Sequence, residues 1–275
     1  MTTAHDFLFL TLSLVLVVGA QVPTFPAGMT WQNIAWCPQG YNGKCQNIEW
    51  VQPGQRAVDV DLFDTDSSTM MSLRNNNHTV ICYFSAGTYE NWRPDKDSFP
   101  SWILRHEMSD WPGEWWLDIF NSTARQIIFD IMSKRIALGL SKGCQAFEPD
   151  NMDCYDNSDC ILSFDPNQAA VDQITFNTGI AAAAHQQNAA VGLKNDVDQV
   201  KQLHTHFDFA VNEQCQQYQE CTELLPFISD NKAVFQVEYQ GTVDSVCPYI
   251  EKREGSTLFS VKVAADGLWV DCPKS

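Results

Sequence analysis

The sequence predicts an α/β fold, a single (β/α)8 TIM barrel. Eight short apolar runs recur along the chain, with helical patterns between most of them, which is the signature of a parallel sheet. Once a leader of twenty residues is set aside, about 255 residues remain, a length that fits eight strand–helix units in one domain with a substantial core. Strand after strand ends in an acid or an amide, and a parallel barrel gathers such positions on one face. A doubly wound open sheet is the competing topology. It usually carries a glycine-rich phosphate turn when it binds nucleotides, and neither G-x-G-x-x-G nor G-x-x-x-x-G-K-[ST] occurs.

The chain is expected to divide into a secretory signal over residues 1–20 and a barrel domain over residues 21–275. Phe7–Val18 is an unbroken run of apolar and small hydroxyl residues, too short to span a bilayer comfortably, and Val18-Gly19-Ala20 offers small residues for cleavage. The opening residues MTTAHD contain no Lys or Arg, so an uncleaved anchor is the alternative. The formal charge is −17 with the leader, and losing Asp6 makes it one less negative. A chain this acidic repels nucleic-acid phosphates and attracts cationic ligands, although a solubilising surface is the commoner use of such charge. Ten cysteines, an even number, suit an oxidising compartment. The expected pairs are Cys37–Cys45, Cys154–Cys160, Cys215–Cys221, Cys247–Cys272 and Cys82–Cys144, the last competing with a pair of buried thiols. No pair has the C-x₂-C spacing of a zinc site. Asn77-His78-Thr79 and Asn121-Ser122-Thr123 fit the acceptor triplet for N-glycosylation.

Taken in order, Trp31–Ala35 is a short strand and Cys37–Cys45 a loop. Ala57–Phe63 is a strand in which Val58, Val60 and Leu62 alternate with Asp59 and Asp61. Ser67–Arg74 reads as a helix and Thr79–Ser85 as an apolar strand. Thr88–Ile119, with its tryptophans, is an elaborate loop. Ser122–Gly139 is the best helix, with Ile127, Ile128, Ile131, Ile136 and Leu138 largely on one face. Ala146-Phe147 opens a buried strand that Pro149 stops. Pro166–Gln187, Val197–His204 and Gln216–Ile228 read as helices. Ala189–Leu193, Phe207–Val211, Ala233–Val237 and Thr257–Val263 complete the strands.

The strand ends carry the chemistry. Asp61 and Asp64 follow the second strand; Tyr89, Glu90, Trp92 and Arg93 the third; Glu148, Asp150, Asn151 and Asp153 the fourth; Lys194 and Asn195 the fifth; Asn212 and Glu213 the sixth; Glu238 and Tyr239 the seventh. Carboxylates, amides and aromatic faces in one cleft suit a sugar, whose hydroxyls need polar partners and whose C–H faces need flat apolar cover. Two carboxyl groups suffice for glycoside hydrolysis. Asp61, Tyr89, Glu90, Trp92, Trp116, Glu148, Asn151, Asp153, Lys194, Glu238 and Tyr239 are therefore expected to line a substrate cleft. For Asp61 and Glu148 at least, a structural ion pair with Arg93, Lys194 or backbone N–H is expected instead. Trp111 and Trp115 also suit stacking, but packing accounts for roughly half of such residues. His185, His204 and His206 lie away from the strand ends. A serine triad lacks its G-x-S-x-G elbow. The acidic residues around Asp150 could also make a surface turn or a calcium loop, but they do not match EF-hand spacing, so no metal and no cofactor is expected.

Seven stretches resemble glycoside hydrolase family 114: VDVDLFDT (Val58–Thr65), VICYFSAGTYENWRPD (Val80–Asp95), WPGEWWLDI (Trp111–Ile119), GCQAFEPDNMDCY (Gly143–Tyr155), VGLKND (Val191–Asp196), FDFAVNEQC (Phe207–Cys215) and AVFQVEY (Ala233–Tyr239). The resemblance runs through almost the whole chain after the leader. It implies a barrel that hydrolyses polymers of α-1,4-linked galactosamine with one Asp and one Glu. Carried onto the E-P-D-N and N-E-Q-C motifs, these are Asp150 as nucleophile and Glu213 as general acid/base in a retaining mechanism. The chain departs from the family pattern in Gly40–Gln55 and in Gln145-Ala146, where a D-G pair is frequent. The expectation is a secreted, monomeric hydrolase of a galactosamine-containing, cationic polysaccharide, with no nucleic-acid partner and no membrane association after signal cleavage. The competing functions are an inactive barrel that only binds polysaccharide and a glycosidase acting on another α-linked polymer.

Overall fold

The computed structural model describes residues 22–35, 51, 54–161, 165–251, 259–265 and 268–272. The strands in chain order are β1 (Trp31–Asn33), β2 (Ala57–Asp61), β3 (Thr79–Ser85), β4 (Thr88–Glu90), β5 (Leu104–Glu107), β6 (Glu114–Leu117), β7 (Ala146–Asp150), β8 (Ala190–Lys194), β9 (Phe209–Glu213), β10 (Val234–Glu238), β11 (Ser260–Ala265) and β12 (Leu268–Asp271). Nine of them form one sheet in the order β1-β2-β3-β7-β8-β9-β10-β11-β12. The first eight in that order are parallel, and β12 returns antiparallel on β11. Side chains bridge the two ends: Trp31 Nε1 donates to the Ser260 carbonyl at 3.1 Å, and Lys262 Nζ reaches Gln32 Oε1 at 3.4 Å. This is the expected barrel.

Alternation along the strands makes two cores. Trp31, Ala57, Ile81, Ala146, Ala190, Phe209 and Phe235 pack together with Phe25 inside the barrel. Phe25 stacks on Phe209 with centroids 4.3 Å apart, and Trp31 on Phe235 at 4.8 Å. Gly192 makes room for this plug, since a Cβ there would lie 2.4 Å from Phe209. The alternate residues, among them Val58, Val60, Cys82, Phe84, Phe147, Val191 and Leu193, face the surrounding helices.

Those helices are α1 (Ser67–Asn75), α2 (Ser122–Lys142), α3 (Ser158–Ile161), α4 (Pro166–His185), α5 (Val200–Leu203), α6 (Cys215–Tyr218), α7 (Leu225–Ser229) and α8 (Val243–Glu251). Asn121 caps α2 by accepting from the Thr123 and Ala124 N–H groups, and Gly143, at φ 120°, ends it. Asp165 caps α4 ahead of Pro166.

Several elements differ from the sequence expectation. The helix expected over Gln216–Ile228 is broken into α6, a 3₁₀ turn at Cys221–Leu224 and α7, because Gln219 turns left-handed at φ 61° and the Cys215–Cys221 disulfide pins the break. The helix over Val197–His204 is a 3₁₀ turn followed by α5. The loop Thr88–Ile119 contains a three-stranded antiparallel sheet, β4-β6-β5. Pro149 does not stop β7: pairing with β3 continues to Ser85↔Asp150, whereas pairing with β8 ends at Phe147↔Val191. The last barrel strand begins at Ser260, and both β12 and α8 are additions.

Cys82–Cys144, Cys154–Cys160, Cys215–Cys221 and Cys247–Cys272 form disulfides. Cys37–Cys45, the leader and most of Gly40–Gln55 lie outside the described residues. Among the described residues no helix is long and apolar enough to cross a membrane.

Candidate active site

Lys194, at the end of β8, is the hub of the carboxyl-terminal face. Its side chain is 5 % exposed, and Nζ lies 3.1 Å from Glu148 Oε1, 3.1 Å from Asp150 Oδ1 and 3.4 Å from Glu213 Oε1. A buried ammonium needs opposite charge around it, and three carboxyl groups supply it. Burial alone would release its proton, but Asp150, Glu213 and Glu148 together hold its pKa well above the ordinary lysine value. Of the partners expected for Glu148, Lys194 is the one it meets, and Glu148 is almost fully buried.

Asp150 ends β7, with its side chain 20 % exposed. Its Oδ2 accepts from the Tyr83 hydroxyl at 2.9 Å and its Oδ1 from the Asn151 N–H at 2.8 Å. Burial raises its pKa, but the Lys194 charge, the Asn151 N–H and the Tyr83 hydroxyl outweigh that and leave it below the usual aspartate value. Asp150 is therefore an ionised, oriented carboxylate.

Glu213 ends β9 and is more open, with its side chain 30 % exposed. Tyr239 donates a short hydrogen bond to Oε1, Asn195 Nδ2 donates to Oε2 at 3.3 Å, and the Glu213 N–H donates to Asn195 Oδ1 at 2.8 Å. The residues that follow the three site-bearing strand ends, Asn151, Asn195 and Gln214, all have positive φ, at 59°, 49° and 64°. The chain therefore turns sharply just after Asp150, Lys194 and Glu213, leaving each side chain at a rim.

The remaining sequence-expected residues divide clearly. Asp61 and Glu90 are buried and paired with Arg93, at 2.9 Å each. Glu238 is 1 % exposed and accepts from the Gln216 N–H and from Gln236. Trp116 is 2 % exposed within the hydrophobic core, so it offers no face to a ligand; this corrects the expectation that it lines a cleft. Tyr89 packs edge-on to Phe99 at 5.5 Å. Trp92 is 49 % exposed. Asn151 Nδ2 is directed at Ser85, Thr88 and Glu114. Asp153 stands at the cleft with its pKa pushed up to about 7 by burial and by the Asp150 charge.

The cleft, about 460 Å³, opens beside Glu213. Its lining includes Asp153, Asp156, Asp196, Asp198, Glu213 and Glu220 together with Tyr155 and Tyr218, and contains no Lys or Arg. Burial and the Asp153 charge push the Asp196 pKa up to about 9. Sequence reasoning missed Tyr83, which sits inside an apolar strand, and Asp196, Asp198 and Glu220, which read as ordinary loop acids. Asn195 was legible as a strand end. Among the described residues, only Cys215, Cys221 and Glu238 have the mutual spacing of metal ligands, and the two sulfurs are joined in a disulfide.

An eight-stranded parallel barrel with carboxyl groups at its carboxyl-terminal rim is an architecture on which glycoside hydrolases are built. Residues 16–275 match glycoside-hydrolase family GH114, and the chain belongs to that family. It is similar to Ega3 of Aspergillus fumigatus, whose crystal structure is a complex with galactosamine: identity is 33 %, the TM-score 0.76, and the match covers 92 % of this chain and 99 % of that one. The glycoside hydrolase domain of PelA from Pseudomonas aeruginosa shares the fold, with a TM-score of 0.64 at 11 % identity, covering 89 % of this chain and 98 % of that one. No curated protein sequence matches the chain.

Proposed function

We propose that the protein is a secreted, monomeric endo-hydrolase of polysaccharide containing α-1,4-linked galactosamine, acting with retention through Asp150 and Glu213. The observation that carries this reading is the shared lysine. Lys194 Nζ contacts Asp150 Oδ1 at 3.1 Å and Glu213 Oε1 at 3.4 Å, so those oxygens are no farther apart than the sum of the two contacts. A separation within that limit admits the roughly 5–5.5 Å of a nucleophile and acid/base pair, and the retaining assignment comes from the family resemblance. Asp150, held ionised, attacks the anomeric carbon while Glu213 gives its proton to the leaving oxygen. Glu213 then takes a proton from water as that water breaks the glycosyl–Asp150 bond. Glu213 suits the second role because it borders the open cleft.

The substrate class rests on the family and on galactosamine bound to the Aspergillus relative. A deacetylated galactosamine unit is cationic, and the acidic cleft complements it. Secretion rests on the leader-like residues 1–20 and on the disulfides.

The test is incubation of wild type, Asp150→Asn and Glu213→Gln with deacetylated and acetylated α-1,4-galactosamine polymers, followed by product-size analysis and early anomer assignment by NMR. Wild type is expected to release oligosaccharides that are initially α, and each variant to lose about 10³-fold or more in kcat while remaining folded. Full activity in either variant overturns the site. An initial β product overturns retention. Tight binding without cleavage by wild type favours a binding barrel.

A further inference from the structure

Beneath Asp150 lies a buried polar ring contributed by three elements. Asn151 Nδ2 is 2.9 Å from Ser85 Oγ at the end of β3, 3.1 Å from Thr88 Oγ1 at the start of β4 and 3.1 Å from Glu114 Oε1 at the start of β6. Ser85 and Thr88 share a short hydrogen bond, and the Thr88 hydroxyl donates another to Glu114 Oε1. Ser85 and Thr88 are fully buried and Glu114 is 6 % exposed.

With Glu114 Oε1 as the acceptor, every proton of the ring has a place. Thr88 donates to Glu114, Ser85 to Thr88, and the two amide protons of Asn151 go to Ser85 and Glu114. Glu114 Oε1 only accepts within the ring, so it sets the direction of the other members. Asn151, left-handed at φ 59°, donates its own N–H to Asp150 Oδ1 at 2.8 Å. With its amide engaged by the ring, Asn151 acts as a clamp on Asp150 and not as a sugar ligand.

We propose that Glu114 is a positioning residue for the hydrolytic reaction, acting through Thr88, Ser85 and Asn151 to hold the Asn151 N–H on the Asp150 carboxylate. The inference rests on the reading of Asp150 as nucleophile. It gives the β4-β6-β5 sheet a role in the reaction: β6 delivers a buried carboxylate to the underside of the site.

The test is steady-state kinetics of Glu114→Ala, Glu114→Gln and Thr88→Val on a soluble α-1,4-galactosamine oligosaccharide, with Asp150→Asn alongside. Removing a buried hydrogen-bond acceptor that acts on the nucleophile is expected to lower kcat about tenfold or more in Glu114→Ala while KM stays within about twofold. Glu114→Gln retains an Oε1 acceptor and is expected to restore most of kcat, a rescue that a merely space-filling role would not require. Thr88→Val breaks the ring with little change of shape and is expected to repeat the kcat loss, which decides the matter if Glu114→Ala does not fold. Wild-type kinetics in Glu114→Ala or Thr88→Val, a rise in KM alone, or no rescue by Gln overturns the inference. Turnover retained in Asp150→Asn overturns the nucleophile reading and this inference together. Turnover lost there, with wild-type kinetics in Glu114→Ala, overturns this inference alone.

Discussion

Lys194 is the residue on which the site's charge balance turns. Its ammonium is buried among Glu148, Asp150 and Glu213, and Glu148 is 2 % exposed with no other cation within ion-pair distance among the described residues. Replacing it with Met leaves the buried Glu148 carboxyl without its cation. Lys194→Met is expected to cost about 3–5 kcal/mol of stability near neutral pH, as removal of one partner of a buried pair does. Urea unfolding followed by circular dichroism measures this, and an unchanged midpoint would contradict it. That Glu148 and Asp61 would be neutralised by Arg93, Lys194 or backbone N–H was legible in the sequence, because all lie at or near the ends of parallel strands; which acid meets which cation was not. Tyr83 and Glu114 were not. Tyr83 lies within the apolar run TVICYFS, where a tyrosine reads as packing, and Glu114 lies among tryptophans in WPGEWW. Trp116 shows the reverse error: its type suits sugar stacking, but only the three-dimensional structure reveals that its side of β6 faces the core.

At the scale of elements, the site depends on how β3, β6 and β7 meet. The Ala86 and Gly87 N–H groups donate to the Asp150 carbonyl at 2.9 and 3.1 Å, and the Leu117 N–H donates to the Gly87 carbonyl at 2.9 Å. Gly87 is pressed so closely on β7 that a Cβ there would lie 1.8 Å from the Asn151 carbonyl oxygen. Gly87→Ala must therefore push the Asp150–Asn151 turn away. It is expected to destabilise the fold by about 1–3 kcal/mol through overpacking and to reduce kcat more than tenfold because the Asp150 carboxylate moves with its backbone. Thermal unfolding and kinetics on the same preparation check both, and a variant with wild-type kcat would show that the turn tolerates displacement. The barrel strands were legible because both of their faces are buried, one inside the barrel and one under the helices, so they read as short apolar runs. The break between α6 and α7 had one legible sign, Pro226, which sits in the first turn of α7 and does not suit a helix interior; the left-handed Gln219 and the Cys215–Cys221 link, which make the break, do not show in the local pattern. Pro149 misled for a related reason: its missing N–H ends one ladder, and the sequence does not say that the other continues.

For the whole molecule, the acidic composition becomes a statement about stability and pH. Glu114 and Asp153 have pKa values pushed up to about 7, and Asp196 to about 9, each chiefly by burial. In the unfolded chain such groups titrate near about 4. The native state therefore holds protons that the unfolded chain has already released, and the stability they confer is full below about pH 4 and lost as pH rises through the folded values. His185, raised by its hydrogen bond to Asp208, works in the same direction between its unfolded value and its folded one. The depressed Asp150 and the raised Lys194 act outside this window, the first in acid and the second in alkali. The melting temperature is thus expected to fall by roughly 5 °C or more between about pH 5 and about pH 8. Asp196→Asn, which mimics the protonated acid, is expected to flatten that slope. Differential scanning calorimetry across the range decides it. A melting temperature that rises toward pH 8 would mean that the cleft carboxylates are paired in the folded protein, and a slope unchanged in Asp196→Asn would remove Asp196 from the account.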